Sequence, residues 1–275
     1  IQIGCGVLKL GRFVRLIPQP VMFGFVNGLA IVIFEAQFPM FTESPTTPGS
    51  TWLVGNDMYL MLGLVFLTMG IIHFLPKLTT QLPSSLVAIV SISCLVIGLN
   101  LDTLVVRDMA SNGGELPSLV AFTIPFDWDT LQFIAPFACI LAAVGLIESL
   151  MTLTLIDELT ETRGNSTREC LGQGFANVVT GFFGGMGGCA MIGQSIINIR
   201  SGGRGRLSGI AAGVFLLCFI LFASSLIERI PLAALTGVMF MVVIGTFEWS
   251  SLRILGKIPK TDAFVIIMVS AITVI

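Results

Sequence analysis

Glu148 stands in the run Ala142-Ala-Val-Gly-Leu-Ile-Glu-Ser-Leu-Met-Thr-Leu-Thr154, where it is the only charge. A carboxylate within such an apolar helix is costly unless it faces a cavity or a partner, so its expected work is to hold a cation or exchange a proton. Gly145 and Thr152 lie three before and four after it and share its helical face, with Ser149 beside it. Glu148 and Thr152 are therefore the candidate coupling-ion residues, for sodium or a proton. A second group lies in Phe182-Phe-Gly-Gly-Met-Gly-Gly-Cys-Ala-Met-Ile-Gly-Gln-Ser-Ile-Ile-Asn-Ile-Arg200, which is uncharged until its last residue. A crossing helix needs about 20 apolar residues, and Cys189 to Ile199 supplies about half of that. Interior glycines cost roughly 1 kcal/mol each against alanine. The pattern predicts an irregular stretch reaching mid-membrane, then a half-helix that completes the crossing. Freed backbone of this kind is tolerated where it lines a cavity, and such breaks hold transported substrates.

The start of a half-helix offers unpaired N–H groups and the positive end of the helix dipole, which favour an anion. Gly187 and Gly188 are expected to line the cavity. Cys189, Ala190 and Met191 are expected to present backbone donors, and Gln194 and Ser195 to add side-chain contacts. The competing use of glycine is close helix packing of the small-xxx-small type, expected for Gly181/Gly185 and for Gly24/Gly28.

Other polar residues offer little chemistry. The single histidine, His73, and the six cysteines (5, 94, 139, 170, 189, 218) show no metal-ligand spacing and no nucleophile–base pairing, which argues against an enzyme and against a bound metal or cofactor. Glu35 reads as interfacial, and Glu248 with Trp249 as an interface anchor. The loop Arg200-Ser-Gly-Gly-Arg-Gly-Arg206 lacks the order of a phosphate loop and reads as a basic turn. A net charge of −2 and the lack of a basic domain point to no nucleic-acid partner.

The elements that must position these residues are membrane helices. Hydrophobic residues make up 55% of the 275 and charged ones 11%, which excludes a soluble globular protein and makes the lipid bilayer the first partner. Apolar segments fall at about 18–40, 57–75, 83–100, 131–156, 168–185, 207–227, 231–250 and 261–275, with the broken element at about 186–200 between the fifth and sixth. If every segment crosses once and Lys9, Arg12 and Arg15 are cytoplasmic, twelve of the fourteen basic residues fall inside; Arg107 and Arg229 are the exceptions. Without a crossing at 186–200 the later basic loops would face outward, so charge and glycine support the break separately. The stretch 101–130, with five acidic residues, reads as an external loop. Asn165-Ser166-Thr167 matches a glycosylation acceptor but falls inside; Ser166 and Glu169 are expected to form a capping box for the next helix. Both ends read as internal to a longer protein.

Several stretches together resemble the SulP (solute carrier 26) anion transporters, bacterial type, across essentially the whole chain. They are Gly11-Arg-Phe-Val-Arg-Leu-Ile-Pro-Gln-Pro-Val-Met-x-Gly-Phe-x-x-Gly28, Thr162-Arg-x-Asn-Ser-x-x-Glu-x-x-Gly-Gln-Gly-x-Ala-Asn177, Phe183-Gly-Gly-Met186, Arg200-Ser-Gly-Gly203 and Ile230-Pro-Leu-Ala-Ala-Leu235. The resemblance implies an all-α polytopic fold of two inverted seven-segment repeats with core and gate domains. Residues 1–17 and 131–227 would belong to the core, 18–100 and 231–275 to the gate, with 101–130 between them. It also implies a multi-pass protein of the cell (inner) membrane, a homodimer, and a STAS domain beyond residue 275. The implied activity is secondary transport of a small inorganic anion, bicarbonate or sulfate, by elevator-like motion of core against gate. An uncoupled exchanger or channel-like conductor of the same fold is the alternative, and a nucleobase permease a weaker one. By position Glu148 and Thr152 match the coupling-cation helix, and Cys189 to Ser195 the substrate half-helix. Gln194 stands where many animal members carry arginine, which favours cation-coupled uptake over exchange.

Overall fold

A computed structural model describes residues 1–12, 18–47, 49–79, 82–109, 118–120, 127–254 and 257–274. Arg15 and residues 110–117 and 121–126 of the expected external loop 101–130 lie outside them. The described residues hold thirteen α-helices and no named strand, and the longer helices follow the apolar segments. The chain divides into two compact units, 1–17 with 116–215 and 18–115 with 216–275.

The first unit holds Gln2–Val7 (α1), Trp128–Thr160 (α6), Ser166–Phe182 (α7), Ile192–Arg200 (α8) and the start of Arg206–Phe222 (α9). Its buried core is Leu146, Leu150 and Cys170, with Cys5 and Leu153 against them. α1 lies close on α7 because glycines face it: a Cβ at Gly6 would sit 2.8 Å from the Leu171 side chain, and one at Gly174 2.7 Å from the Ile3 backbone nitrogen. The turn between α6 and α7 is organised by Asp157. Its carboxylate accepts from the Gly164 N–H at 2.6 Å and its carbonyl from Thr162 N–H at 3.2 Å, while Glu161 takes the left-handed conformation that ends α6. The cap of α7 differs from expectation. Asn165, not Ser166, is the N-cap, and its side chain accepts from the Arg168 N–H at 3.1 Å, so Ser166 is already the first helical residue.

The glycines after α7 divide into separate devices. Gly184 has φ +70°, and the Gly184 and Gly185 amides bond back to the Gly181 and Thr180 carbonyls at 3.0 Å each. This is a Schellman termination, in which a left-handed glycine satisfies the last carbonyls of the helix. Gly181 meets no atom within 4 Å and Gly185 meets only Thr180, so the expected packing at Gly181/Gly185 is replaced by helix capping. Residues 185–191 are non-helical, and α8 begins at Ile192.

The second unit holds Gln19–Glu35 (α2), Asn56–Leu78 (α3), Ser84–Gly98 (α4), Val106–Met109 (α5), Ser224–Ile227 (α10), Leu232–Thr246 (α11), Trp249–Ile254 (α12) and Lys260–Val274 (α13). Pro20 stands in the first turn of α2, where its missing N–H is not needed. The core gathers Phe41, Met61, Leu64, Val65, Ile92, Val96, Ala233 and Ala234. Here the packing glycines behave as expected: a Cβ at Gly24 would lie 2.7 Å from the Ile266 carbonyl and one at Gly28 2.5 Å from Thr273 Cβ, so α2 and α13 pack backbone to backbone. Asn27, 4% exposed, donates to Ser251 Oγ at 2.7 Å and accepts from the Glu248 N–H at 2.9 Å, pinning the start of α12 to α2.

Among the described residues, four spans are long and apolar enough to cross a bilayer: Pro20–Phe41, Asn56–Leu78, Trp128–Thr160 and Leu232–Ile254. Ser84–Gly98 and Arg206–Phe222 are apolar but shorter. Only 22–39% of each long span's window is buried inside the protein. The remaining apolar faces need hydrocarbon or further protein to cover them.

Candidate functional site

The candidate residues converge on the non-helical lead-in to α8. Glu148 and Thr152 project from α6 with Ser149 between them, and all three reach residues 189–190. The Cys189 thiol donates to Glu148 Oε2 at 2.8 Å. Ala190 is held at both ends of its backbone: its N–H donates to Ser149 Oγ at 3.0 Å, and its carbonyl accepts from Thr152 Oγ1 at 2.9 Å. Gly188 is held in the same manner from α7. Its N–H donates to Asn177 Oδ1 at 2.9 Å, and its carbonyl accepts from Asn177 Nδ2 at 3.1 Å and from Gln173 Nε2. Asn177 Nδ2 also donates to Gln2 Oε1 at 2.8 Å, and Gln2 Nε2 reaches the Ala142 carbonyl at 3.4 Å. Backbone groups outside regular structure lack ladder partners, and here side chains of two helices supply them.

This geometry narrows what the expected donors can do. The amides of Gly188 and Ala190 are already engaged, so neither is an open N–H for a ligand. Because α8 starts at Ile192 with Met191 as N-cap, its outward N–H groups belong to Ile192, Gly193 and Gln194, one turn later than expected. Gln194 is exposed in that first turn, while the Ser195 amide bonds the Met191 carbonyl at 3.2 Å. A Cβ at Gly188 or Gly193 would meet no atom within 4 Å. Gly187, Gly188 and Cys189 line a cavity of about 390 Å³ with Gln2, Gly145 and Asn177. Met191, Gln194 and Ser195 are not part of that lining. Gly145 allows the close approach, since a Cβ there would sit 3.0 Å from Gln2 Nε2 and 3.7 Å from Cys189 Cβ.

Sequence reasoning left Ser149, Gln173, Asn177 and Gln2 without roles. Gln173 and Asn177 carried a signal, being polar residues four apart on one face of an apolar helix. Gln2 carried none, because its partner is 175 positions away.

No group of three or more potential metal-ligating side chains exists among the described residues. His73 instead contacts Lys77 Nζ at 3.3 Å, four residues on, and stacks edge-on with Phe74.

A helical membrane fold with a helix broken in mid-course, and a lone carboxylate set against the break, defines a polytopic membrane transporter fold. The sequence profile of the sulfate permease family matches residues 1–269, and the chain belongs to that family. It is 47% identical over its whole length to "Putative sulfate transporter YbaR" of Bacillus subtilis, covering 55% of that protein, and 34% identical to the bicarbonate transporter BicA of Synechocystis, covering 50%. The chain thus spans about half the length of the curated relatives it matches. Among solved structures, the transmembrane domain of a cyanobacterial bicarbonate transporter, BicA, superposes with a TM-score of 0.83 at 35% identity, over 99% of this chain and 71% of that one. The murine Solute Carrier 26 family member A9 anion transporter, at 14% identity and a TM-score of 0.76 over 99% of this chain and 49% of its own, shows the same fold.

Proposed function

We propose that the chain carries half of the site of a secondary transporter for a small inorganic anion, bicarbonate or sulfate, coupled to sodium or protons at Glu148. The observation that carries this reading is the Glu148 carboxylate set 2.8 Å from Cys189 in the lead-in to α8. An anion at the amides of Ile192, Gly193 and Gln194 gains from the helix dipole, with no fixed cation on Gln194 to balance its charge. A cation or proton at Glu148 supplies that balance, which ties anion uptake to a gradient. The relatives' names, sulfate transporter and bicarbonate transporter, support both substrates equally. Movement of core elements against gate elements carries the site across, in a cell-membrane homodimer.

The test is uptake of labelled bicarbonate and of labelled sulfate by the full-length protein in proteoliposomes, with and without sodium and with an imposed proton gradient. Gradient-dependent accumulation of one anion is expected; uptake of neither would falsify the reading. Gly188→Ala refines it. The added methyl meets no protein atom but enters the cavity, so anion uptake is expected to weaken while the thermal midpoint of the purified protein stays unchanged. Wild-type uptake by this variant would remove Gly188 from the binding surface.

A further inference from the structure

The lead-in to α8 holds a defined shape without being helix or strand, and the question is what sets it. On the α6 side two hydroxyls divide the work, Ser149 taking the Ala190 N–H and Thr152 the Ala190 carbonyl. On the α7 side a single carboxamide takes both groups of Gly188. The orientation of that carboxamide is determined three times over. Oδ1 must accept from the Gly188 N–H, and Nδ2 must donate both to the Gly188 carbonyl and to Gln2 Oε1. A flipped amide would set donor against donor or acceptor against acceptor at all three contacts. Gln2 carries the same polarity onward, because accepting through Oε1 leaves Nε2 to donate to the Ala142 carbonyl. Asn177 is half-buried.

We propose that Asn177 is the positioning residue of the site: by fixing the Gly188 peptide it sets where Cys189 meets Glu148 and where the first amides of α8 point. This rests on the anion-transport reading above but can be tested apart from it. Asn177 bonds Gly188 and Gln2 rather than Glu148 or the first amides of α8, so its hydrogen bonds act through Gly188, whose cavity it also lines. Its loss leaves the Gly188 N–H without its partner and the Gly188 carbonyl held by Gln173 alone, while α6 still holds Ala190. The thiol then leaves Glu148 more often, and the α8 amides lose their preset direction. Groups that orient metal ligands change affinity or activity by about 10- to 100-fold when removed, and an effect of that order is expected for a group that orients a binding loop.

The experiment compares wild type, Asn177→Ala and Asn177→Asp in the full-length protein. Asp keeps the volume and the acceptor for the Gly188 N–H, but when ionised it has no donor. Cys189 alkylation by N-ethylmaleimide is followed by peptide mass spectrometry, with fully buried Cys170 in the same sample reporting on global unfolding. Faster Cys189 alkylation in Asn177→Ala at an unchanged Cys170 rate is expected, with a smaller increase in Asn177→Asp. For uptake, the expected change is a rise in anion KM on the order of tenfold or more, with the maximal rate much less affected. Unchanged Cys189 reactivity and unchanged KM in a folded Ala variant overturn the proposal. If the Ala variant exposes Cys170, the Asp variant decides by the same two readouts. If both expose it, Asn177 is a folding residue and the proposal fails. The thiol readout needs no transport, so an inactive wild-type protein sinks the transport reading and leaves this inference to be judged on alkylation alone.

Discussion

Glu148→Gln is expected to abolish gradient-driven anion uptake while the protein inserts and folds normally. Glutamine keeps the length of the side chain and an oxygen that can accept from the Cys189 thiol, 2.8 Å away in the parent protein. Ser149 and Thr152 continue to hold Ala190, so the lead-in keeps its α6 clamp. What disappears is the charge, and removing a carboxylate from an apolar span relieves a cost rather than adding one. Stability should therefore hold or rise slightly, which separates this loss of function from misfolding. The measurement is uptake in proteoliposomes across sodium concentrations and pH values, beside the thermal midpoint of the same preparation. Wild-type uptake by the Gln variant at every pH and sodium value would remove Glu148 from the mechanism.

Gly28→Leu is expected to prevent assembly of the second unit. The space beside Gly28 is already filled, with Thr273 Cβ 2.5 Å and the Ser270 carbonyl 3.0 Å from where a first carbon would stand. Neither neighbour can swing away, since one is a branch point held to the backbone and the other is the backbone itself. One turn earlier, Gly24 lies against the Ile266 carbonyl and takes a hydrogen bond from Ser270 Oγ at 2.8 Å. Forcing the helices apart at Gly28 thus also strains that bond and the adjacent Asn27–Ser251 pin. Overpacking a close contact costs about 1–3 kcal/mol and sometimes more, a large part of a marginal stability. A much lower thermal midpoint, or loss of monodisperse protein after detergent extraction, is the expected readout. Gly63→Leu is the control, because a Cβ at Gly63 meets nothing within 4 Å. Equal midpoints for the two variants would show that α2 and α13 do not depend on this contact.

The helices were legible because apolar length is a strong signal: Asn56–Leu78 and Lys260–Val274 fall within a few residues of the runs 57–75 and 261–275. The broken element was legible too, since glycine density and loop charge agreed on it. Within the cluster, the individual glycine roles were not readable. Whether Gly184 caps a helix or packs against one depends on its φ of +70°, which the residue type permits but does not announce. Similarly, Ser166 fits the capping-box pattern, yet Asn165 one position earlier does the capping. Thr152 reads from the sequence as an ion ligand alone; in the structure its hydroxyl donates to the Ala190 carbonyl. Side-chain clamps on irregular backbone follow no period, so the partnership of Asn177 with Gly188 leaves no pattern to count.

A break in a membrane helix invites the picture of a soft joint, and the clamps on Gly188 and Ala190 contradict it. Each of these residues has both its N–H and its carbonyl engaged by side chains, Gly188 by α7 and Ala190 by α6. Pulling α6 and α7 apart at this level would strip the lead-in from one helix or the other and leave two backbone groups without their partners. The joint is consequently stiffer than its glycines suggest, because side chains of α6 and α7 tie both helices to the lead-in of α8. Whatever compliance the first unit has therefore lies elsewhere than at this joint.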